Sequence, residues 1–127
     1  MTRKKPIILL NGPCFEIECA IRKNGTSESE NFLNSLNVSD KAKIIKIIKR
    51  YADFGFIHNK EQFKKVEGKI WEFKDYQKRI FMYHCARKRV ALTHGFEKKG
   101  PKIPRAQINR ALQIKIEYDQ IRKEMDI

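Results

Sequence analysis

Glu72 is the only carboxylate between Glu67 and Asp75, in a stretch where cations dominate. A carboxylate held among cations can act as a general base beside groups that stabilise an anion, or simply as half of an ion pair. Arg79 opens the next apolar run and offers the same choice: a guanidinium can grip an oxyanion through two parallel hydrogen bonds, or partner Glu72. Lys98, Lys99 and Lys102 crowd a loop bracketed by Gly95, Gly100, Pro101 and Pro104, with Arg105 just beyond. They read as phosphate contacts or as a solvated charged face, and Lys74 has the same two readings. His94 precedes Gly95 beside this loop, where an imidazole could move a proton near neutral pH. Strand alternation places it with Val90 and Leu92, so a hydrogen-bonded histidine at a sheet rim is equally consistent. His84 is as ambiguous, and His58 has no supporting context. Tyr76, in a short polar turn, is the aromatic best placed to stack on a base, whereas Trp71 and Phe96 read as core.

These groups sit in a strongly basic chain. The 127 residues carry 28 Lys+Arg against 15 Asp+Glu, a formal net charge of +13. Residues 1–40 are balanced, 41–89 hold fifteen basic against five acidic side chains, 90–116 hold six against one, and the tail is slightly acidic. The excess therefore lies between Lys41 and Lys115, and points to nucleic acid, an acidic membrane face or an acidic protein. The length suits one domain over residues 1–127, and 41% hydrophobic residues can furnish its core. No stretch reads as a secretory leader or approaches the ~20 apolar residues of a membrane span, so a cytoplasmic protein is expected. Cys14, Cys19 and Cys85 cannot all pair within one chain and show no metal-like spacing. They are expected to be reduced, with no metal and no cofactor.

The elements that must position these side chains follow from periodicity. Phe15–Arg22 alternates as a half-buried strand ending at Asn24-Gly25. Ser27 or Ser29 can cap a short helix carrying Phe32, Leu33 and Leu36. Ser39-Asp40 reads as a second cap, before Ala42, Ile45, Ile48 and Ala52 at helical spacing, with Ile44, Ile47 and Tyr51 widening the stripe. Gly55 closes that helix, and the short linker predicts a helical hairpin. After a Lys-rich loop, Ile57 to Gly68, the segments Lys69–Lys74, Arg79–Cys85 and Arg89–Gly95 read as an antiparallel meander. Pro104 precedes a final helix over Ala106–Glu124.

Three stretches carry a family resemblance. Gly25–Leu36 resembles the approach to the first helix of HigB-like, phage-derived members of the RelE/ParE toxin superfamily. Trp71-Glu72-Phe73-Lys74 with Arg79-Ile80-Phe81 resembles that family's paired strands, with Phe73-Lys74 where Leu-Arg is usual. Leu92-Thr93-His94-Gly95-Phe96-Glu97-Lys98-Lys99, followed by Lys102 and Pro104, resembles its most characteristic stretch. The resemblance runs from about Phe15 to Glu124, and Met1–Pro13 reads as an N-terminal extension.

The resemblance implies an α+β fold, a small twisted antiparallel sheet with an N-terminal helical hairpin packed on it and a C-terminal helix. It also implies an mRNA endoribonuclease of a type II toxin–antitoxin system, acting on mRNA at the ribosome and neutralised by a helix-turn-helix antitoxin. Glu72, Arg79, Lys98, Lys99 and His94 would then be catalytic, and Lys74, Tyr76, Lys102 and Arg105 would bind RNA. The ParE branch poisons DNA gyrase without catalysis, and an inactive RNA- or ribosome-binding module is a third reading.

Overall fold

The computed structural model describes residues 5–125; Met1–Lys4, the first part of the expected extension, lie outside it, as do the last two residues. The elements run β1 (Ile7–Asn11), β2 (Glu16–Cys19), α1 (Glu28–Ser35), α2 (Val38–Phe54), β3 (Phe63–Glu67), β4 (Ile70–Asp75), β5 (Lys78–Cys85), β6 (Arg89–Glu97) and α3 (Arg105–Glu124).

This architecture overturns the expected antiparallel sheet with an N-terminal helical hairpin. The chain opens on two strands, and the six-stranded sheet, ordered β1-β2-β6-β5-β4-β3, is mixed. β2 runs parallel to β6, with Ile17 opposite Val90 and Cys19 opposite Leu92, and the remaining pairs are antiparallel. The aliphatic run at Ile7–Leu10 becomes a strand because its turn is held from outside. Ala52 O, near the end of α2, accepts from both Cys14 N (2.9 Å) and Phe15 N (3.0 Å). Gly12 allows that approach, since a Cβ there would lie 2.3 Å from Ala52 O. A contact forty residues distant in sequence on this scale is invisible to local periodicity.

The two helices after β2 pack mainly on the sheet, α1 against β6 and α2 against β4. Ser27 Oγ accepts from Glu30 N at the start of α1, while the buried Ser29 donates to Leu92 O at 3.0 Å and so ties α1 to β6. The second cap is Asn37 rather than Ser39-Asp40: Asn37 Oδ1 accepts from Asp40 N at 2.8 Å. The buried face of α2 is Ile44, Ile47, Ile48, Tyr51 and Ala52, rotated from the expected stripe so that Ala42 is exposed. Gly55 ends it in the left-handed conformation, φ 80°.

The sheet is covered on both faces. Leu33 of α1 and Ile44, Ile48 and Tyr51 of α2 join Ile17, Phe73, Ile80 and Leu92 in one core. Ala111, Ile114, Tyr118 and Ile121 of α3 join Ile70, Phe81, Tyr83 and Ala91 in the other. Glu18 is fully buried beneath α3, where Tyr118 donates to it at 2.7 Å, Arg89 at 3.0 Å, and Arg122 also binds it. Several donors on one carboxylate are what make such burial tolerable. Among the described residues no helix is long and apolar enough to cross a membrane.

Candidate active site

Alternation along β4 sends Trp71 and Phe73 toward α1 and α2, and Ile70 and Glu72 toward the α3 side. On β5, Arg79 shares the α3 side with Phe81 and Tyr83. Lys74 stands opposite Arg79 and Glu72 opposite Phe81, so Glu72 and Arg79 are diagonal neighbours. Glu72 Oε1 and Arg79 Nε lie 3.1 Å apart, and the two residues are 4% and 6% exposed. The contact is ionic only: neither atom has a hydrogen-bond partner, because the N–H does not align with the carboxylate. Arg79 Nη1 instead donates to the carbonyls of Tyr76 and Lys78, holding the β4–β5 turn.

Burial pushes the Glu72 carboxyl above its ordinary value, while Arg79 first, then Lys74, Lys98 and Lys64, pull the other way. A buried carboxyl with a raised proton affinity beside an arginine is a stronger base than an ordinary surface carboxylate. Lys98 reaches this neighbourhood because its backbone N–H donates to Gln77 O at 2.7 Å, pinning the start of the basic loop to the β4–β5 turn. Lys98 and Lys99 line a shallow groove there with Gln77, Glu97 and Gly100. Lys74 donates through Nζ to Lys60 O at 3.2 Å. Tyr76 projects from the turn, 83% exposed, at a φ of 54°. Lys102 is exposed further along the loop, and Arg105 is engaged by Glu67 at 2.5 Å.

His94 lies elsewhere than alternation suggests. Ile80 stands opposite Gly95 and Met82 opposite Leu92, so Thr93 and His94 together face Phe81 in a β-bulge. The bulge turns His94 away from Val90 and Leu92 and onto the α3 side. There its ring contacts Phe81 and Phe96, Nε2 meets Gln107 Oε1 at 2.9 Å, and Nδ1 meets Thr93 Oγ1 at 3.2 Å. It is 1% exposed, and burial lowers its pKa against the opposing pull of the Gln107 bond. In this position it joins β6 to α3. Gly95 follows with its α-carbon against α1, where a Cβ would come 2.2 Å from Phe32 Cδ2. His84 faces the opposite side of the sheet and bonds the Tyr51 hydroxyl at 2.6 Å; His58 is exposed against Phe56.

Sequence reasoning missed Lys64. It stands opposite Glu72 on β3, a strand hidden in what reads as a Lys-rich loop. The apolar Phe63 and Val66 flanking a lysine pair were its only local signal. Gln62 and Asn59, just before that strand, line a second hollow with Lys74, Asp75, Tyr76 and Arg79. Among the described residues no group of three or more His, Cys, Asp or Glu side chains could hold a metal ion.

Residues 31–115 match the family described as phage-derived protein Gp49-like (DUF891), a stretch spanning α1 to the middle of α3 and including every strand of the site. No curated protein matches the chain. The chain belongs to the phage-derived Gp49-like family, a RelE/HigB-type family associated with the toxins of toxin–antitoxin systems.

Proposed function

We propose that this toxin-family chain is an mRNA endoribonuclease of the HigB-like branch that acts on translating ribosomes and so arrests translation. The observation that carries the reading is Glu72: a buried carboxyl with raised proton affinity, paired with Arg79 and ringed by Lys64, Lys74 and Lys98. In the reaction, Glu72 takes the proton of a ribose 2′-hydroxyl and the 2′-oxygen attacks the adjacent phosphorus. The bond from phosphorus to the 5′-oxygen breaks, leaving a 2′,3′-cyclic phosphate on one fragment. Arg79 and the lysines stabilise the charge gathering on the non-bridging oxygens. The departing 5′-oxygen is protonated from the lysine cluster, for which Lys98 and Lys99 are the candidates, and His94 positions β6 against α3. Lys74, Tyr76, Lys102 and Arg105 extend the RNA contact surface.

The family implies an antitoxin; we propose a helix-turn-helix protein that restrains this basic face. The purified chain, added to a cell-free translation reaction, should produce discrete new mRNA 5′ ends in a primer-extension map. Transcripts left intact by stoichiometric folded protein would sink the nuclease reading. Inhibition of DNA supercoiling by gyrase with mRNA untouched would replace it.

A further inference from the structure

Another hollow lies on the α3 side of the sheet, at the opposite end of the strands from the β4–β5 turn. It is lined by Lys69 from the β3–β4 turn, by the end of β5, and by Lys115, Asp119, Arg122 and Lys123 of α3. Gly68, at a φ of 56°, makes the tight turn that sets Lys69 out in solvent. Lys69 precedes Glu72 by three residues, about 10 Å of extended chain. Four of the lining side chains are cationic and one is a carboxylate.

That carboxylate is already committed. Asp119 Oδ1 accepts from the Tyr83 hydroxyl at 3.2 Å, and Oδ2 accepts from Lys115 Nζ at 2.7 Å. Arg122 is engaged only in part. Its Nη1 binds the buried Glu18, which Arg89 and Tyr118 also engage. Its Nη2 is buried with no hydrogen-bond partner, in a residue 5% exposed. A buried guanidinium donor left unsatisfied is costly, and an acceptor from outside the chain relieves that cost. Among the described residues, neither Lys69 nor Lys123 has a carboxylate partner. Lys123 suits the negative end of the α3 dipole, but Lys69 comes from a separate element and has no such role.

We propose that this hollow binds a phosphate group. The unpaired cations come from two elements, the β3–β4 turn and the end of α3, and the spare guanidinium donor is a third point of contact. A tetrahedral oxyanion can direct separate oxygens to each of them. A carboxylate, with two oxygens and one charge, leaves part of the set unused. The group can be free phosphate or a link of a nucleic-acid backbone, because the chemistry at the hollow is the same. The site is distinct from the pair Glu72 and Arg79, and the inference does not rest on the ribonuclease reading.

The test uses the full chain and two titrations. In ¹H–¹⁵N spectra, inorganic phosphate should shift the Lys69, Ala86 and Lys123 amides along a saturable curve, and sodium chloride at equal ionic strength should not. Lys69→Gln combined with Lys123→Gln removes two exposed cations and should weaken that binding about 2- to 30-fold. Arg122→Lys keeps a cation on Glu18, removes the spare donor and should also weaken it; if that variant melts early, the lysine pair carries the test. The source of the phosphate is read by fluorescence anisotropy with a deoxythymidine dodecamer, which lacks the 2′-hydroxyl, over a series of salt concentrations. If backbone phosphates are the ligand, the double lysine substitution weakens binding and reduces the logarithmic salt slope by up to about 1.4. Unaltered dodecamer binding, with inorganic phosphate weakened, assigns the hollow to free phosphate. Absence of saturable shifts, shifts reproduced by chloride, or a phosphate affinity unchanged by the double substitution overturns the inference. Neither titration measures cleavage, so failure of the ribonuclease reading leaves the result standing.

Discussion

Glu72 and Arg79 approach to 3.1 Å through Oε1 and Nε in a nearly sealed position, yet no hydrogen bond joins those two atoms. A buried ion pair ordinarily offsets its desolvation through aligned hydrogen bonds. Here the guanidinium instead holds two turn carbonyls, and the carboxylate keeps an acceptor atom without a donor. That combination leaves bonding capacity on both groups.

Glu72→Gln should lower mRNA cleavage by roughly 10²–10⁴-fold, the usual range for loss of a general base. Arg79→Lys should also lower it, since an ammonium lacks the planar fork. Primer extension measures both effects, and a thermal melt of each variant shows whether the fold persists. A loss of cleavage that merely tracks unfolding at the assay temperature would return the pair to a structural role.

The pH dependence has a definite sign. Glu72 must be deprotonated to act, and burial raises its pKa above the ordinary 4.5, so single-turnover cleavage should rise with pH through that raised value. Stability runs the other way. The folded chain binds this proton more tightly than the unfolded chain, so the contribution is fully present below the unfolded pKa. It is lost as pH climbs through the folded one. Urea melts of the parent and Glu72→Gln at several pH values should show their difference narrowing or reversing across that window.

Lys64→Gln should move the rising limb of the cleavage profile to higher pH. Lys64 faces Glu72 across β3 and β4 and is one of the charges drawing its pKa down. Being exposed on an edge strand, Lys64 contributes little to stability, and the melt should change by less than about 0.5 kcal/mol. An unmoved profile would place Lys64 outside the electrostatics of the site.

His84 and His94 predict acid sensitivity of the fold. Burial lowers both pKa values below the ordinary 6.5, so the folded chain resists their protonation. The stability they contribute is complete above 6.5 and is lost as pH falls through their folded values. Replacing both with Gln should flatten the decline in urea midpoint on acidification below that pH, while lowering the plateau at neutral pH.

Gly95→Ala should destabilise the chain by roughly 1–3 kcal/mol, because the new methyl would meet the Phe32 ring. Phe32→Leu should recover part of that loss in a double-mutant cycle. Gly12→Ala should cost more and resist such rescue, since its obstacle is the backbone of Ala52. Chemical denaturation of the four variants would separate the two cases.

Local pattern determined much of this molecule. The alternation from Phe15 to Ile21 specified β2 and its extension, Gly55 specified the end of α2, Pro104 the start of α3, and the run from Arg79 to Cys85 the strand that carries the arginine. Each is encoded by residues adjacent in the chain: a period of two, a left-handed cap, a fixed φ. The carboxylate among cations was equally legible, because its signal was composition over a short window. Tertiary structure decided what those neighbours could not. β1 exists because Ala52 O receives the amides of Cys14 and Phe15, and β2 is parallel to β6 through contacts far apart in sequence. The bulge opposite Phe81 reversed the face of His94, since one additional residue in a strand inverts the alternation beyond it. The same long-range pairing turned Lys64 from a loop lysine into the neighbour of Glu72. Register is a property of two strands together, and neither strand carries it alone.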